Sequence, residues 1–234
     1  MPEPSPQPIG RLTATLREAH TRGELALIAS LPANEPEYVT AAQRGGAHAL
    51  KLHFGLTHRA SGRRLPTLEE GADLVPRLRD LAPDVPLGAV LGDTPETVDR
   101  ALDLAAELGL DFISAYAHAL PARAFDLGFE VLVALDDRSP PGWAAHLPAG
   151  ALLEASVVPH AEYGTPLTAA DLLRYAELRA LTSAPLVIPT QKLVRPADLP
   201  ALRRLGADAL MYGVVVTGEG AEGFERMARR YRGE

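Results

Sequence analysis

Cysteine is absent from the 234 residues of the chain. Disulfide bonds, thiolate metal ligands and a cysteine nucleophile are therefore excluded. The sequence also lacks any apolar run that approaches the roughly 18–20 residues of a membrane-spanning helix. We therefore expect a soluble protein with no membrane partner, located in the cytoplasm.

Basic residues are fewer than acidic ones, with 23 Lys and Arg against 30 Asp and Glu and a net charge of −7. This balance argues against a nucleic-acid-binding or anionic-membrane-binding protein, so any basic site has to be local. The first residues, MPEPSPQP, lack the basic and apolar stretches of a secretory signal peptide. We predict that residues 1–8 form a disordered proline-rich tail and that residues 9–234 form one domain.

Sequence signatures of other enzyme classes are missing from their expected places. No G-x-G-x-x-G turn follows the first strand, where the sequence reads SLPANEP, which disfavours a dinucleotide-binding open sheet. No G-x-S-x-G motif is present, which argues against a serine hydrolase. The H-x-H, H-E-x-x-H and D-x-D-x-D-G spacings of metal sites are absent as well.

Short apolar runs alternate with amphipathic helical stretches along the whole chain, after a first helix over residues 11–21. Such alternation predicts a parallel sheet covered by helices. Eight units in 234 residues fit a closed (β/α)8 TIM barrel, which typically takes about 250 residues; an open doubly wound sheet is the alternative. The segments after strands four and five are short, so single helical turns are expected there. The predicted strands span 24–31, 47–54, 86–92, 110–116, 129–137, 151–158, 185–190 and 208–214.

The last two units contain the stretch APLVIPTQKLVRPADLPALRRLGADALMYGVVVTGEG. It resembles the end of the phosphate-binding TIM barrels of the ribulose-phosphate-binding type. The stretch GGAHALKL near the second strand shows the same succession of a helix end and a strand. The resemblance implies a phosphate pocket built by the strand-seven loop, the next strand and Gly213. The strand-seven turn, Thr190-Gln191-Lys192-Leu193, lacks the glycines common in such barrels. Either side chains replace backbone donors here or phosphate is absent.

Alternate strand residues of a barrel face its interior, and those at the C-terminal strand ends border the active-site mouth. This rule directs Leu50 and Leu52 towards the helices. A set of polar residues is then predicted to point inward. Its members are Lys51, His53, Ser114, Tyr116, Asp136, Glu154, Ser156, Thr190 or Gln191, and Tyr212.

An inward lysine on a buried strand requires a charge partner or a shifted pKa, because removing water from a charge is costly. Glu154 is the favoured partner, and Asp136 is the other candidate. We predict Lys51, Glu154, His53 and Asp136 as catalytic residues. Lys51 would form a Schiff base or stabilise an enolate, while a carboxylate moves protons. The alternative is a buried ion pair that only closes the barrel.

The loop over residues 55–66 exceeds the usual connection of roughly 2–6 residues between a barrel strand and its helix. It carries His58, Arg59, Arg63 and Arg64 and is a candidate lid over a negatively charged ligand. Arg59 and Arg63 are the predicted ligand contacts. The alternative is a solvated loop whose arginines pair with acidic helix residues.

A phosphate group is expected to bind near the eighth strand. Gly213 follows that strand, and Thr217–Gly220 precedes the last helix, whose free N–H groups suit an anion. Gly218, Gln191 and Lys192 complete the predicted ligand-binding set. The alternative is that these glycines only form a turn and start a helix.

A divalent metal ion is the competing chemistry. His and carboxylate side chains near strand ends are a potential donor set, but their spacing is scattered, so no metal ligand or cofactor is assigned. The members of this set are His53, His118, His160, Asp136, Glu154 and Glu162.

The sequence therefore predicts a barrel enzyme, of the isomerase or lyase type, for a small phosphorylated or anionic carbonyl compound. One alternative is a non-catalytic barrel that binds a phosphometabolite and acts as a regulator. The other is a metal-dependent hydrolase or lyase. No nucleic-acid or membrane partner is expected, and a homo-oligomer remains open.

Overall fold

The computed structural model describes residues 9–234, so the predicted tail at residues 1–8 lies outside the described residues. Eight parallel strands close into a barrel in which each strand pairs with its sequence neighbours and β8 pairs with β1. The predicted TIM barrel is confirmed, and the open sheet is wrong. The strands are β1 Ala26–Ser30, β2 Ala49–His53, β3 Leu87–Val90, β4 Phe112–Tyr116, β5 Glu130–Asp136, β6 Leu152–Ser156, β7 Leu186–Pro189 and β8 Ala209–Tyr212.

Helices connect the strands on the outside of the barrel. The helical segments after β4 and β5 are short, as expected, but they are 3-10 helices of about two turns, at Ala122–Asp126 and Pro141–His146. Further 3-10 helices lie at His160–Glu162 and Pro196–Asp198. No helix within residues 9–234 is long and apolar enough to cross a membrane. The α-helices are α1 Arg11–Thr21, α2 Pro36–Arg44, α3 Leu74–Leu81, α4 Pro95–Glu107, α5 Ala169–Leu181, α6 Leu199–Arg204, α7 Val214–Thr217 and α8 Ala221–Arg232.

The apolar core has two parts. The larger part lies between strands and helices and contains Leu50 and Leu52, as strand alternation predicts. The smaller part fills the N-terminal half of the barrel interior and includes Phe112, together with Leu12 and Leu16 of α1. Because α1 closes this end of the barrel, the polar inward residues lie towards the opposite, C-terminal end.

Close packing in the barrel interior depends on one glycine. Gly88 of β3 pairs in register with Lys51 of β2 and Phe112 of β4. A Cβ atom at Gly88 would overlap the ring of Phe112. The missing side chain therefore makes room for this ring below the polar layer.

Candidate active site

A cavity of about 140 Å³ opens at the C-terminal ends of the strands. Loop residues after β2, β6 and β8 complete its wall, among them Arg59, Tyr163 and Gly213. Most of the predicted inward-facing polar residues line this cavity. They are Lys51, His53, Ser114, Tyr116, Glu154, Ser156, Thr190 and Gln191.

Lys51 and Glu154 meet across the barrel from β2 and β6. The Lys51 Nζ atom lies 3.1 Å from Glu154 Oε2 and 3.4 Å from Oε1. Their side chains are only 5% and 7% exposed. Ser114 Oγ donates to Oε2 at 2.8 Å and Ser156 Oγ to Oε1 at 2.9 Å. These three donors replace the water that the carboxylate loses on burial.

His53 is held in one neutral tautomer. Its Nδ1 atom lies 2.9 Å from the carbonyl oxygen of Leu31. Because a carbonyl only accepts, Nδ1 carries the proton and Nε2 is left as an acceptor. Burial, with His58 and Lys51 adding to it, holds the pKa of His53 well below its usual value. Asn34, which sequence reasoning missed, fixes this strand end through its amide, which bonds the His53 backbone at 2.7 and 3.1 Å.

The loop after β2 folds back on itself as a hydrogen-bonded hairpin. Thr57 and Arg64 form an antiparallel bridge, and the His58 N–H donates to the Arg63 carbonyl at 2.8 Å. This hairpin buries His58 in the cavity wall, with its ring centroid 4.6 Å from that of His53.

His58 is neutral with the opposite tautomer. Its Nδ1 accepts the Ser61 N–H at 3.3 Å and lies 2.8 Å from Ser61 Oγ. Therefore Nε2 carries the proton and is a donor. Burial and the charge of Lys51 lower the pKa of His58 to about 4. Positive charge at the mouth thus comes from Lys51 and Arg59, and not from the imidazoles.

The two predicted arginine contacts differ in their placement. The Arg59 guanidinium lies over the Tyr116 ring, 4.6 Å from its centroid, at the cavity wall. Arg63 lies outside the cavity lining and pairs with Glu35 at 3.7 Å. For Arg63 the structure therefore matches the alternative of a surface ion pair.

Lys192 lies outside the cavity lining as well. Its Nζ contacts Glu162 Oε2 at 2.6 Å, Thr165 Oγ1 at 3.0 Å and Asp171 Oδ1 at 3.6 Å. The Lys192 side chain is 5% exposed and that of Asp171 is 2% exposed, whereas Glu162 is 41% exposed and lies at the surface. The Lys192 ammonium is committed to these neighbours instead of a ligand in the cavity.

Gln191 lines the cavity, but all the hydrogen-bonding groups of its amide are used within the protein. Oε1 accepts the Val158 N–H at 3.2 Å. Nε2 donates to the Ser156 carbonyl at 3.1 Å and to Tyr163 Oη at 2.7 Å. Tyr163, which no sequence pattern singled out, is thereby fixed at the cavity wall.

Asp136 lies outside the cavity lining despite its inward strand position. Its carboxylate accepts Ser139 Oγ at 2.7 Å and the Arg138 N–H at 3.1 Å, which closes the turn after β5. Burial raises the pKa of Asp136, but these hydrogen bonds outweigh it and hold the pKa below its usual value. Glu154, and not Asp136, is therefore the partner of Lys51.

Of the two glycines predicted to bind phosphate, only Gly213 lines the cavity, together with the first residues of α7. Its N–H donates to Thr190 Oγ1 at 3.1 Å. Gly218 lies outside the lining and ends α7 with a φ of +75°. The short helix α7 thus separates the cavity from the last helix, which sequence reasoning did not anticipate.

The prediction that Tyr212 points inward is wrong. Its ring packs against Phe224 and Tyr231 of α8, with centroids 5.6 and 6.3 Å away. Met211 takes the inward position and lines the cavity. Within residues 9–234 the buried Tyr212 hydroxyl has no hydrogen-bond partner.

The side chains proposed as metal ligands are dispersed. In the part of the chain that the structure describes, no group of three or more His, Asp and Glu side chains is arranged to hold a metal ion. His118 approaches Asp136 only at 3.9 Å, and Glu154 is bound by Lys51. The metal-dependent alternative has no donor set among these residues.

No family model matches the chain, and no match is found among curated proteins. Solved structures similar to it include the tryptophan synthase alpha subunit of Legionella pneumophila, with 14% sequence identity, a TM-score of 0.70 and coverage of 97% of this chain and 98% of that one. Thiamine phosphate pyrophosphorylase from Pyrococcus furiosus is similar at 14% identity and a TM-score of 0.62, over 89% and 94% of the two chains. At these identities the likeness establishes the TIM-barrel fold alone.

Proposed function

We propose that the protein is a barrel enzyme of the isomerase or lyase type that acts on a small phosphorylated or otherwise anionic carbonyl compound. The observation that carries the proposal is the Lys51–Glu154 pair, which spans the cavity at the C-terminal strand ends. An ion pair that only closed a barrel would not need an open cavity beside it. Active sites of TIM barrels lie at this end.

The two charged groups have complementary roles. The Lys51 ammonium stabilises the oxygen of a substrate carbonyl as negative charge develops there. The Glu154 carboxylate accepts the proton from the neighbouring carbon and returns it to the product. After losing a proton, the Lys51 amine is also a nucleophile that adds to the carbonyl and expels water to form a Schiff base.

His53 assists as an acceptor. Its Nε2 lone pair is available because Nδ1 donates to the Leu31 carbonyl. A neutral imidazole can accept the proton of a substrate hydroxyl, whereas a protonated ring could only donate. We therefore assign His53 to a hydroxyl group next to the reacting carbonyl.

The charge of the cavity supports an anionic ligand. With both imidazoles uncharged, Lys51 and Arg59 exceed Glu154 by one positive charge among the residues lining the wall. A phosphate or carboxylate group of the substrate would bind within reach of this excess positive charge.

Proton exchange provides the test. Small ketones and aldehydes of three to six carbons, phosphorylated or carboxylated, are incubated with the protein in D2O and followed by proton NMR. We expect exchange of a C–H next to the carbonyl for at least one of them, and a reduction of about 100-fold or more in Glu154→Gln. Lys51→Met should lose turnover while keeping ligand affinity, and borohydride trapping on Lys51 would identify the Schiff base route.

Two controls separate chemistry from folding. Arg179→Met removes a cation that pairs with Asp208 outside the cavity, so exchange should persist. Circular dichroism checks that each variant is folded. If the wild-type protein binds these ligands and exchanges none of their protons, it is a binding barrel and the enzyme proposal fails.

A further inference from the structure

The neighbours of the Gln191 amide determine which of its atoms accepts a hydrogen bond and which donates. The Val158 N–H is only a donor, so the atom it contacts at 3.2 Å is the Gln191 carbonyl oxygen. The Ser156 carbonyl is only an acceptor, so it takes one of the two Nε2 protons at 3.1 Å. The second Nε2 proton points to Tyr163 Oη at 2.7 Å.

Tyr163 must therefore direct its own proton elsewhere. Its oxygen accepts from Gln191, and no acceptor for the Tyr163 hydroxyl is found among residues 9–234. The side chain lines the cavity. Burial raises the pKa of Tyr163 against the opposing effects of the Gln191 bond and of the nearby Arg59 guanidinium, so the phenol stays protonated. It is a neutral donor at the cavity wall.

Arg59 lies on the adjoining side of the mouth. His160 links the two loops, because its Nε2 lies 3.2 Å from the Arg59 carbonyl oxygen and its ring lies 4.9 Å from that of Tyr163. The Arg59 guanidinium is held over Tyr116, a second cavity residue. One positive charge and one directed hydroxyl donor thus face the same opening.

We propose that Tyr163 and Arg59 form the subsite for the anionic oxygen group of the ligand, a phosphate or a carboxylate, and that Gln191 is a positioning residue that makes Tyr163 donate. The subsite rests on the anionic ligand of the proposed function. A charged oxygen gains most from donors that are already oriented and need no rearrangement on binding. Gln191 acts through Tyr163 and does not contact the ligand.

Binding of inorganic phosphate and of acetate, measured by NMR titration of the ion, tests the subsite and distinguishes the two anions. Tyr163→Phe should weaken binding of the preferred anion about tenfold. Tyr212→Phe is the matched control, since Tyr212 lies among α8 side chains outside the cavity and its hydroxyl has no partner in the described residues. Its affinity should equal that of the wild type.

A double-mutant cycle tests the positioning role. Gln191→Met should weaken anion binding in the wild type and have no further effect in Tyr163→Phe, whereas a structural role would reduce affinity in both backgrounds. Equal affinity of Tyr163→Phe and the wild type overturns the subsite.

The same titrations separate this subsite from the catalytic proposal. A protein that exchanges the protons of one of the carbonyl probes but binds neither anion overturns the subsite and leaves the Lys51–Glu154 chemistry in place. If anion binding depends on Tyr163 but no probe exchanges its protons, the subsite is supported and the proposed enzymatic activity is overturned.

Discussion

At the scale of single residues, hydrogen-bond partners of the two cavity histidines determine which ring nitrogen carries the proton. Leu31 makes His53 an acceptor, and Ser61 makes His58 a donor. Both imidazoles face the charge of Lys51, which disfavours a second positive charge. The two histidines of this basic stretch are therefore neutral rings with opposite tautomers, and Lys51 and Arg59 carry the positive charge.

The buried His58 ring predicts acid sensitivity. Its pKa falls from 6.5 in the unfolded chain to about 4 in the folded protein, so the unfolded chain binds the extra proton first as the pH drops. Stability should be fully present above pH 6.5 and decrease down to about pH 4. The loss attributable to this ring is up to about 3 kcal/mol.

Urea unfolding at pH 7.5, 5.5 and 4.5 measures this effect. His58→Asn should reduce the pH-dependent part of the free energy of unfolding, and His20→Asn on the exposed end of α1 should not. A His58→Asn profile parallel to that of the wild type would contradict the assignment. His53, which is also buried, would account for the sensitivity that remains.

At the scale of elements, helix α1 is capped by a residue far away in sequence. Its N-cap, Gly10, has no side chain to offer, and the Glu130 carboxylate accepts the N–H groups of Leu12 and Thr13 at 2.7 and 2.9 Å. A Cβ atom at Gly10 would overlap Glu130. The first residue of β5 thereby fixes the helix that closes the barrel.

Removal of this cap should destabilise the protein without changing the cavity. We expect Glu130→Ala to lower the free energy of unfolding by about 1–2 kcal/mol, the usual cost of a lost N-terminal cap and of its charge at the helix dipole. Glu107→Ala, at the exposed end of α4, is the control for loss of a surface carboxylate. Equal unfolding curves for the Glu130 and Glu107 variants would show that the cap contributes nothing.

At the scale of the whole molecule, the barrel is closed at one end and open at the other. Helix α1 and the ring of Phe112 fill the N-terminal half, and the Lys51–Glu154 pair crosses the C-terminal half. The polar pair is thus held from below by packed apolar side chains. We expect a change of side-chain volume in this apolar half to change the free energy of unfolding of the whole barrel, because protein interiors are close-packed.

Gly88→Ala tests this packing. The added methyl group would collide with Phe112, so we expect a loss of about 1–3 kcal/mol in the free energy of unfolding. The double variant Gly88→Ala/Phe112→Leu should recover part of it by returning volume to the layer. Gly142→Ala, where no atom lies near the new Cβ, is the matched control, and a loss as large there would refute the overlap as the cause.

The apolar–polar pattern was sufficient to place the residues of β2 and β6. Leu50 and Leu52 alternate with Lys51 and His53, so only one face of this strand is suited to the helices. Strand β8 has no such contrast, because Met211 and Tyr212 are both apolar enough for a core. Its inward face follows from pairing with β1 and β7, where Met211 lies opposite Ile28 and Pro189, and this pairing is not visible in the sequence.

Hydrogen-bond and charge partners are harder to predict from sequence than strands and helices. Strand and helix identity is local, since it depends on residues two to four positions apart. All eight strands were predicted correctly, and the short helix α7 was missed. The sequence favoured Glu154 as the partner of Lys51, 103 positions away, only because strand alternation points both side chains inward. No sequence pattern indicated the contact of Gln191 with Tyr163 across 28 positions. Loop conformation and strand register bring such groups together, so the folded chain alone settles whether Lys192 and Arg63 face a ligand or an internal carboxylate.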